Sequence, residues 1–480
     1  MMTRSGLDQL QLGNRFAELP ASFYARVQPL PLDNPRLVAF SSDTAALIGL
    51  DPCQFSELQL SEYFGGQRLP EGSDPLATVY AGHQFGGYTA QLGDGRALLL
   101  GDLPGSDGQR WELQLKGSGK TPYSRHGDGR AALRSVIREY LGSEALAALG
   151  VPTTRALCIV GSDTQIYRDS IESAASMVRL SPSHIRFGHF EYFYYSRQPD
   201  QLKQLSDFVI RHYYPQCASA ANPYLAMYSE ILGRTAKLIA RWQALGFCHG
   251  VMNTDNMSIL GLTLDYGPFA FLDGYQPDYT SNRTDEHGRY AYHQQPSVAL
   301  WNCVCLAQSL TGLVKQADLE SALSRFESVY AVAYTEQMKQ RLGMEGKERQ
   351  DGALIEALLQ LLQQVNADYH CAFLKLEQAA TGEVEPFIAL LGDSPQVRDW
   401  LSQYLSRINS DATIQMKQHN PRVVLRSYLT QQVIEQAVAG DFSGLVKLHD
   451  AVRAPFKERT DIYAQPPPEG DKNLSLSCSS

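Results

Sequence analysis

Two hydrophobic periods divide this chain, and their order limits the folds open to it. Residues 76–125 are rich in glycine and short apolar runs, which reads as strands and turns. Within them, Gln91–Asp102 (QLGDGRALLLGD) sets an Asp94-Gly95 step between two apolar segments, a hairpin signal. Trp111–Lys116 (WELQLK) alternates apolar and polar side chains and reads as the next strand. A helical period then takes over. Over Arg130–Leu149 the apolar positions Leu133, Val136, Ile137, Tyr140 and Leu141 fall on one helical face, with Gly150 as a stop and Pro152 beyond it. Pro223–Leu245 carries one apolar stripe that Gly246 ends. Residues from about 300 to 450 keep the helical period, as at Leu354, Ile355, Leu358, Leu359 and Leu362. The expected order is a small strand-rich lobe followed by a helical one.

Size and charge narrow the functions available. At roughly 150 residues per domain, 480 residues make about three units, or two lobes with decorations. With 44% hydrophobic and 19% charged residues the composition is globular, which excludes disorder, collagen and coiled coil for the bulk of the chain. The net charge of −9 disfavours nonspecific nucleic-acid binding and polybasic membrane binding. Any polyanion site must come from a local cluster of cations. The eight cysteines are scattered, form no CxxC pair, and are expected to be mostly reduced core thiols. The N-terminus lacks a hydrophobic signal core and no apolar run approaches a membrane span, so a soluble cytoplasmic protein without nucleic-acid or membrane partners is expected.

One phosphate motif is a decoy. Gly117–Thr121 reads GSGKT, but the P-loop pattern needs a further glycine where Gln114 stands, and Pro122 follows where a helix should open. A better constellation is spread along the chain. A glycine hairpin (Gly93, Gly95, Arg96) precedes the strand ending in Lys116, and Glu139 lies on the helix after it. HGVMNTDN (His249–Asn256) and LDYG (Leu264–Gly267) come later. This is the order of a protein-kinase-like ATP site. Glycines let backbone amides approach phosphate oxygens. Lys116 supplies positive charge, Glu139 would fix it by ion pairing, and Asn256 and Asp265 are hard oxygen ligands suited to Mg²⁺ or Mn²⁺. Taken singly, Lys116 reads as a solvated strand-end lysine and Glu139 as a surface charge; it is the order that points to a site. One departure is decisive. Two residues after the loop histidine, where kinases place the catalytic aspartate, stands Val251, which cannot accept a proton. Asp255 sits just before the retained Asn256. Either the protein is inactive or it uses Asp255 in another geometry, and His249 reads as a structural loop histidine.

At this point the chain resembles the selenoprotein O family, pseudokinase-fold protein adenylyltransferases. The resemblance runs through Tyr80–Asp102, Glu112–Leu157, His249–Asp273 and Asn420–Leu429. It implies ATP bound in a flipped orientation, with AMP transferred to a protein Ser, Thr or Tyr hydroxyl and pyrophosphate released. Matching positions put Gly93, Gly95, Arg96 and Lys116 at the nucleotide, together with Asp128, Gly129, Arg179 and Arg186. Asp255 matches the general base, and Asn256 and Asp265 the metal ligands. Relatives carry a C-terminal cysteine, here Cys478, that in some pairs with a second cysteine; Ser281 stands where that partner is expected, so a disulfide switch is in doubt.

The fold expected is α+β, kinase-like and two-lobed. Residues 1–75 form an N-terminal extension, 76–190 a strand-rich lobe, 191–455 a helical lobe with the catalytic loop, and 456–480 a flexible tail. Protein adenylylation, self-modification included, is the expected activity, with ATP and Mg²⁺ or Mn²⁺. Uridylyl transfer with Mn²⁺, γ-phosphate transfer, and a redox-linked nucleotide-binding scaffold stand as alternatives.

Overall fold

The computed structural model describes residues 6–472 and residue 474. Cys478, and with it the expected redox role and the end of the tail, lies outside the described residues. The fold is mixed α/β: a multi-stranded antiparallel sheet, with many helices following it.

The sheet strands are β1 (Tyr24–Arg26), β2 (Arg36–Phe40), β3 (Leu76–Thr78), β6 (Ala97–Pro104), β7 (Arg110–Lys116), β8 (Ala131–Ala132), β9 (Arg155–Tyr167) and β10 (Ile171–Ser181). They run in the order β1-β3-β6-β7-β10-β9-β2, with β8 added beside β10. The hairpin expected at Asp94-Gly95 does not form: that step is a bend leading into β6, and the hairpin turn falls at 105–109, between β6 and β7, whose far ends set Ala97 opposite Lys116. β10 lies on the other side of β7, placing Arg179 opposite Gln114 and Met177 opposite Lys116. Residues before 76 supply both edge strands, since β1 pairs β3 and β2 pairs β9. A separate small hairpin joins β4 (Gly82–Gln84) to β5 (Gly87–Thr89).

Two short helices, α1 (Ser42–Leu47) and α2 (Glu57–Phe64), precede the central α3 (Leu133–Ala148). The periodicity sets the start of α3 near Arg130. The helix begins three residues later because Ala131 and Ala132 pair with Ala175 and Ala174 of β10. Its inner face, Val136, Ile137, Tyr140 and Leu141, is buried against the sheet. Next come α4 (Phe187–Tyr195), α5 (Pro199–Tyr213), α6 (Pro223–Ala244) and α7 (Gln295–Ser309), then nine more helices among the described residues between Gln316 and Arg453. Asn222 caps α6, its side-chain oxygen accepting from the amides of Tyr224 and Leu225. The stripe read from sequence is buried at Ile231, Leu232, Leu238, Ile239 and Trp242. Among the described residues, no helix is long and apolar enough to cross a membrane.

One apolar core runs continuously from the α3 face of the sheet into α6, α7 and the last helices, so it fixes the loops between these elements relative to the sheet. A second core, built around Tyr369, Phe373 and Trp400, supports the distal helices.

Candidate active site

A cleft of about 410 Å³ opens where the β6–β7 hairpin, the 117–130 loop, β10 and the 249–267 loops meet. Its wall includes Gly93, Gly95, Arg96, Lys116, Asp128, Gly129, Arg179, Arg186, Asp255, Asn256 and Asp265. Of the residues assigned from sequence to the nucleotide, the metal or the base, only Glu139 is absent from the wall, because it stands behind Lys116.

The glycine bend that leads into β6 is shaped by what packs on it. Gly93 has φ +78°, and a Cβ there would lie 2.6 Å from the Tyr123 ring. Asp94 is buried and anchors the turn, its carboxylate accepting from the amide and hydroxyl of Thr78 at 2.9 and 2.6 Å. The GSGKT segment continues as loop rather than helix, and Thr121 donates its hydroxyl to the Asp94 carbonyl at 2.7 Å. The P-loop reading is thereby excluded on geometry, and the segment serves to press the 117–130 loop onto that bend.

Behind the bend lies a buried charge network. Lys116 ends β7 and contacts Glu139 of α3 directly. Arg179 of β10 bridges Glu139, at 3.1 Å, and Asp265, with which Arg186 also pairs. Lys116 Nζ is 3.9 Å from Asp265. Burial would raise the Asp265 carboxyl, but Arg186, Arg179 and Lys116 together hold it well below the usual carboxylate range. Burial lowers the Lys116 ammonium against the opposing pull of Glu139 and Asp265. Asp265 has φ +59°, a left-handed backbone that costs a side-chain-bearing residue about 1–2 kcal/mol. Three cations around its carboxylate hold it there.

The 249–256 loop presents the other half. His249 is buried and stacked on Trp242 at 5.2 Å. Nδ1 accepts from the Val251 amide at 3.3 Å and Nε2 meets the Leu264 carbonyl at 3.1 Å, so it ties the two loops together and has no chemistry to spare. Val251, two residues after His249, lines the cleft. Asp255 is buried, accepts from Gln84 Nε2 at 3.3 Å through Oδ2, and leaves Oδ1 without a partner. Burial pushes its carboxyl up to about 7, against the pull of Arg186. Asn256 donates Nδ2 to the Val251 carbonyl at 2.9 Å, which leaves its amide oxygen for another partner. That oxygen and the Asp265 carboxylate, both on the cleft wall, form a hard oxygen set of the kind that fits Mg²⁺ or Mn²⁺.

The cleft also holds groups that the sequence reading passed over. Arg125, Arg130 and Arg168 add to the four expected cations, against the carboxylates of Asp94, Asp128, Asp255 and Asp265. Asp128 grips Arg168 through two bonds of 2.8 and 2.9 Å. Its carboxylate therefore orients that arginine. Gly129 has φ +74°, and its Cβ would fall 2.1 Å from the Gly119 carbonyl carbon, so it closes the loop by backbone contact. The SRHGDGR string holds the signal for Arg125, but nothing local to Arg168 marks it. Ser281 is buried and donates to Cys248 Sγ at 3.5 Å.

Comparison with known proteins gives the class of the chain. Proteins named protein nucleotidyltransferase YdiU from Ectopseudomonas mendocina (strain ymp) and Pseudomonas putida (strain W619) are each 48% identical to this chain, over 484 and 487 residues. The alignments cover 99% of this chain and 99% of each relative. The class is thus set: the chain is an enzyme, a nucleotidyltransferase. The family model described as protein adenylyltransferase SelO matches residues 7–453, and the chain belongs to that family.

Proposed function

We propose that this chain is a protein adenylyltransferase, moving AMP from ATP to Ser, Thr or Tyr hydroxyls of proteins, its own included. Its frame is read as protein-kinase-like and two-lobed, residues 76–190 forming the strand-rich lobe and 191–455 the helical one. The observation that carries the reading is that one cleft wall holds both Asp255, whose buried Oδ1 has no hydrogen-bond partner, and Asp265 under its three cations, while Val251 fills the kinase base position.

ATP lies in the cleft with its α-phosphate toward the acceptor. The backbone at Gly93 and Gly95 approaches the phosphates, and Arg96, Lys116, Arg179 and Arg186 offset their charge. Asp128 acts through Arg168. Asn256 and Asp265 would hold the divalent ion, which supplies further charge neutralisation when bound. Asp255 takes the proton of the acceptor hydroxyl. A bond forms between that oxygen and the α-phosphorus, the bond to the bridging oxygen breaks, and pyrophosphate leaves with the electron pair.

Uridylyl transfer would use the same phosphate apparatus, and competition separates the two. Acceptor protein would be incubated with equal ATP and UTP, in Mg²⁺ and then in Mn²⁺, and weighed by mass spectrometry. The adenylyl adduct should dominate and disappear in Asp265→Ala. A uridylyl or phosphoryl adduct as the main product would overturn the reading.

A further inference from the structure

The β4–β5 hairpin reaches Asp255 from outside the nucleotide cleft. Its His83 amide donates to Thr254 Oγ1 at 2.7 Å, and Gln84 reaches Asp255 itself. The Phe85 amide donates to the Tyr290 hydroxyl at 2.9 Å, which in turn donates to Asn253 at 2.6 Å. The hairpin tip and the 285–290 segment are therefore fastened to the turn that carries Asp255.

This corner is rich in aromatic rings and has one cation with no counter-charge. Phe85 and Tyr195 are 45% and 40% exposed, and Trp301 stands edge-on to His83. The Arg289 guanidinium lies over Trp301, 4.7 Å from the ring centre. Among the described residues no carboxylate pairs with it within 4.0 Å, and its buried Nε has no hydrogen-bond partner. The nearest acid in sequence, Asp285, is committed to the backbone amides of Arg289 and Tyr290 at 2.9 and 2.7 Å. Room for the guanidinium comes from Gly86, with φ +87°, where a Cβ would stand 3.3 Å from Arg289 Cζ. The large buried arginines nearby, Arg179 and Arg186, each have a carboxylate. Arg289 is held in place by an aromatic face and a glycine, with its charge left for something outside the chain.

We infer that Arg289, backed by Trp301 and the hairpin tip, is an acceptor subsite that binds an acidic side chain next to the hydroxyl to be modified. The inference rests on the proposed transfer to proteins. Arg289 lines no part of the nucleotide cleft, so its anion comes from the second substrate. Fastening to the Asp255 turn keeps subsite and base in register. Exposed rings around a guanidinium suit an extended peptide carrying a carboxylate, which a planar donor fork grips in two places.

The test uses two labelled peptides with blocked ends, a central serine flanked by glutamates in one and by glutamines in the other. Each is titrated with the full chain by fluorescence anisotropy without ATP, so the readout does not depend on transfer. The glutamate peptide should bind about tenfold tighter, a gap expected of a charge-assisted bidentate contact. Arg289→Met should erase the gap, and Arg289→Lys, which keeps the charge and the stem over Trp301, should retain part of it. With α-labelled ATP, Arg289→Met should raise KM for the glutamate peptide and leave kcat and the KM for ATP unchanged. Equal affinity for the two peptides in the unmodified protein, or a gap that survives Arg289→Met, would overturn the subsite. Failure of label transfer with the peptide preference intact would instead count against the adenylyl-transfer reading.

Discussion

Asp255 and Glu144 are both buried carboxylates, and their partners give them opposite behaviour. Asp255 has one weak donor and a free oxygen. Its replacement by asparagine keeps the shape and removes the proposed base, so transfer should fall by about 10²–10⁴-fold, with ATP affinity, read by calorimetry, unchanged. Glu144 accepts from Arg155 through two bonds of 2.8 Å and from Ser41, Thr44 and the Ala156 amide. Burial would raise its carboxyl, but Arg155 and these donors hold it below the ordinary 4.5. With the folded value below the unfolded one, its contribution is present above pH 4.5 and is lost as pH falls through the folded value. Glu144→Gln leaves Arg155 without its charge partner and should cost about 3 kcal/mol at pH 7. In denaturant melts the gap from the unmodified protein should narrow on acidification below pH 4.5; a gap independent of pH would contradict the assignment.

At the level of elements, the contact between β4 and α4 sets the position of the turn that carries Asp255. Gly188, at the start of α4, sits so close to the chain before β4 that a Cβ would lie 2.1 Å from the Ala81 carbonyl oxygen. A Cβ at Gly82 would lie 2.8 Å from Asp255 Oδ1. Gly188→Ala must part the two elements. It should cost about 1–3 kcal/mol in a thermal melt and lower transfer more than ATP affinity; equal losses in both would mean that the contact serves stability alone. These elements also show what sequence can reveal. Strands β6 and β7 and helices α3 and α6 are local patterns, and their residues could be read in order. The Lys116–Glu139 pair followed, because one strand and the next helix fix it. The edge strands β1 and β2 pair with residues far along the chain and carry no local sign of it. Arg168 enters the cleft through Asp128 and the Arg130 carbonyl, about forty residues earlier. The left-handed turn at Asp265 depends on arginines from two other elements and is invisible in LDYG.

Across the whole molecule, an acidic chain gathers seven cations around one cleft, three of them on a single carboxylate. The continuous core behind the sheet makes that concentration of charge tolerable, since it holds α3, β10 and the 249–267 loops in one frame, and β7 joins it by pairing with β10. The proposed activity requires this frame to deliver the α-phosphate, not the γ-phosphate, to a protein hydroxyl. The most direct test is label transfer to protein from ATP labelled at the α position and, in parallel, at the γ position, with Asp265→Ala beside the unmodified chain in Mg²⁺ and in Mn²⁺. Label from the α position only, absent in the variant, is the predicted result. Label from the γ position, or α-label transfer undiminished in Asp265→Ala, would contradict it.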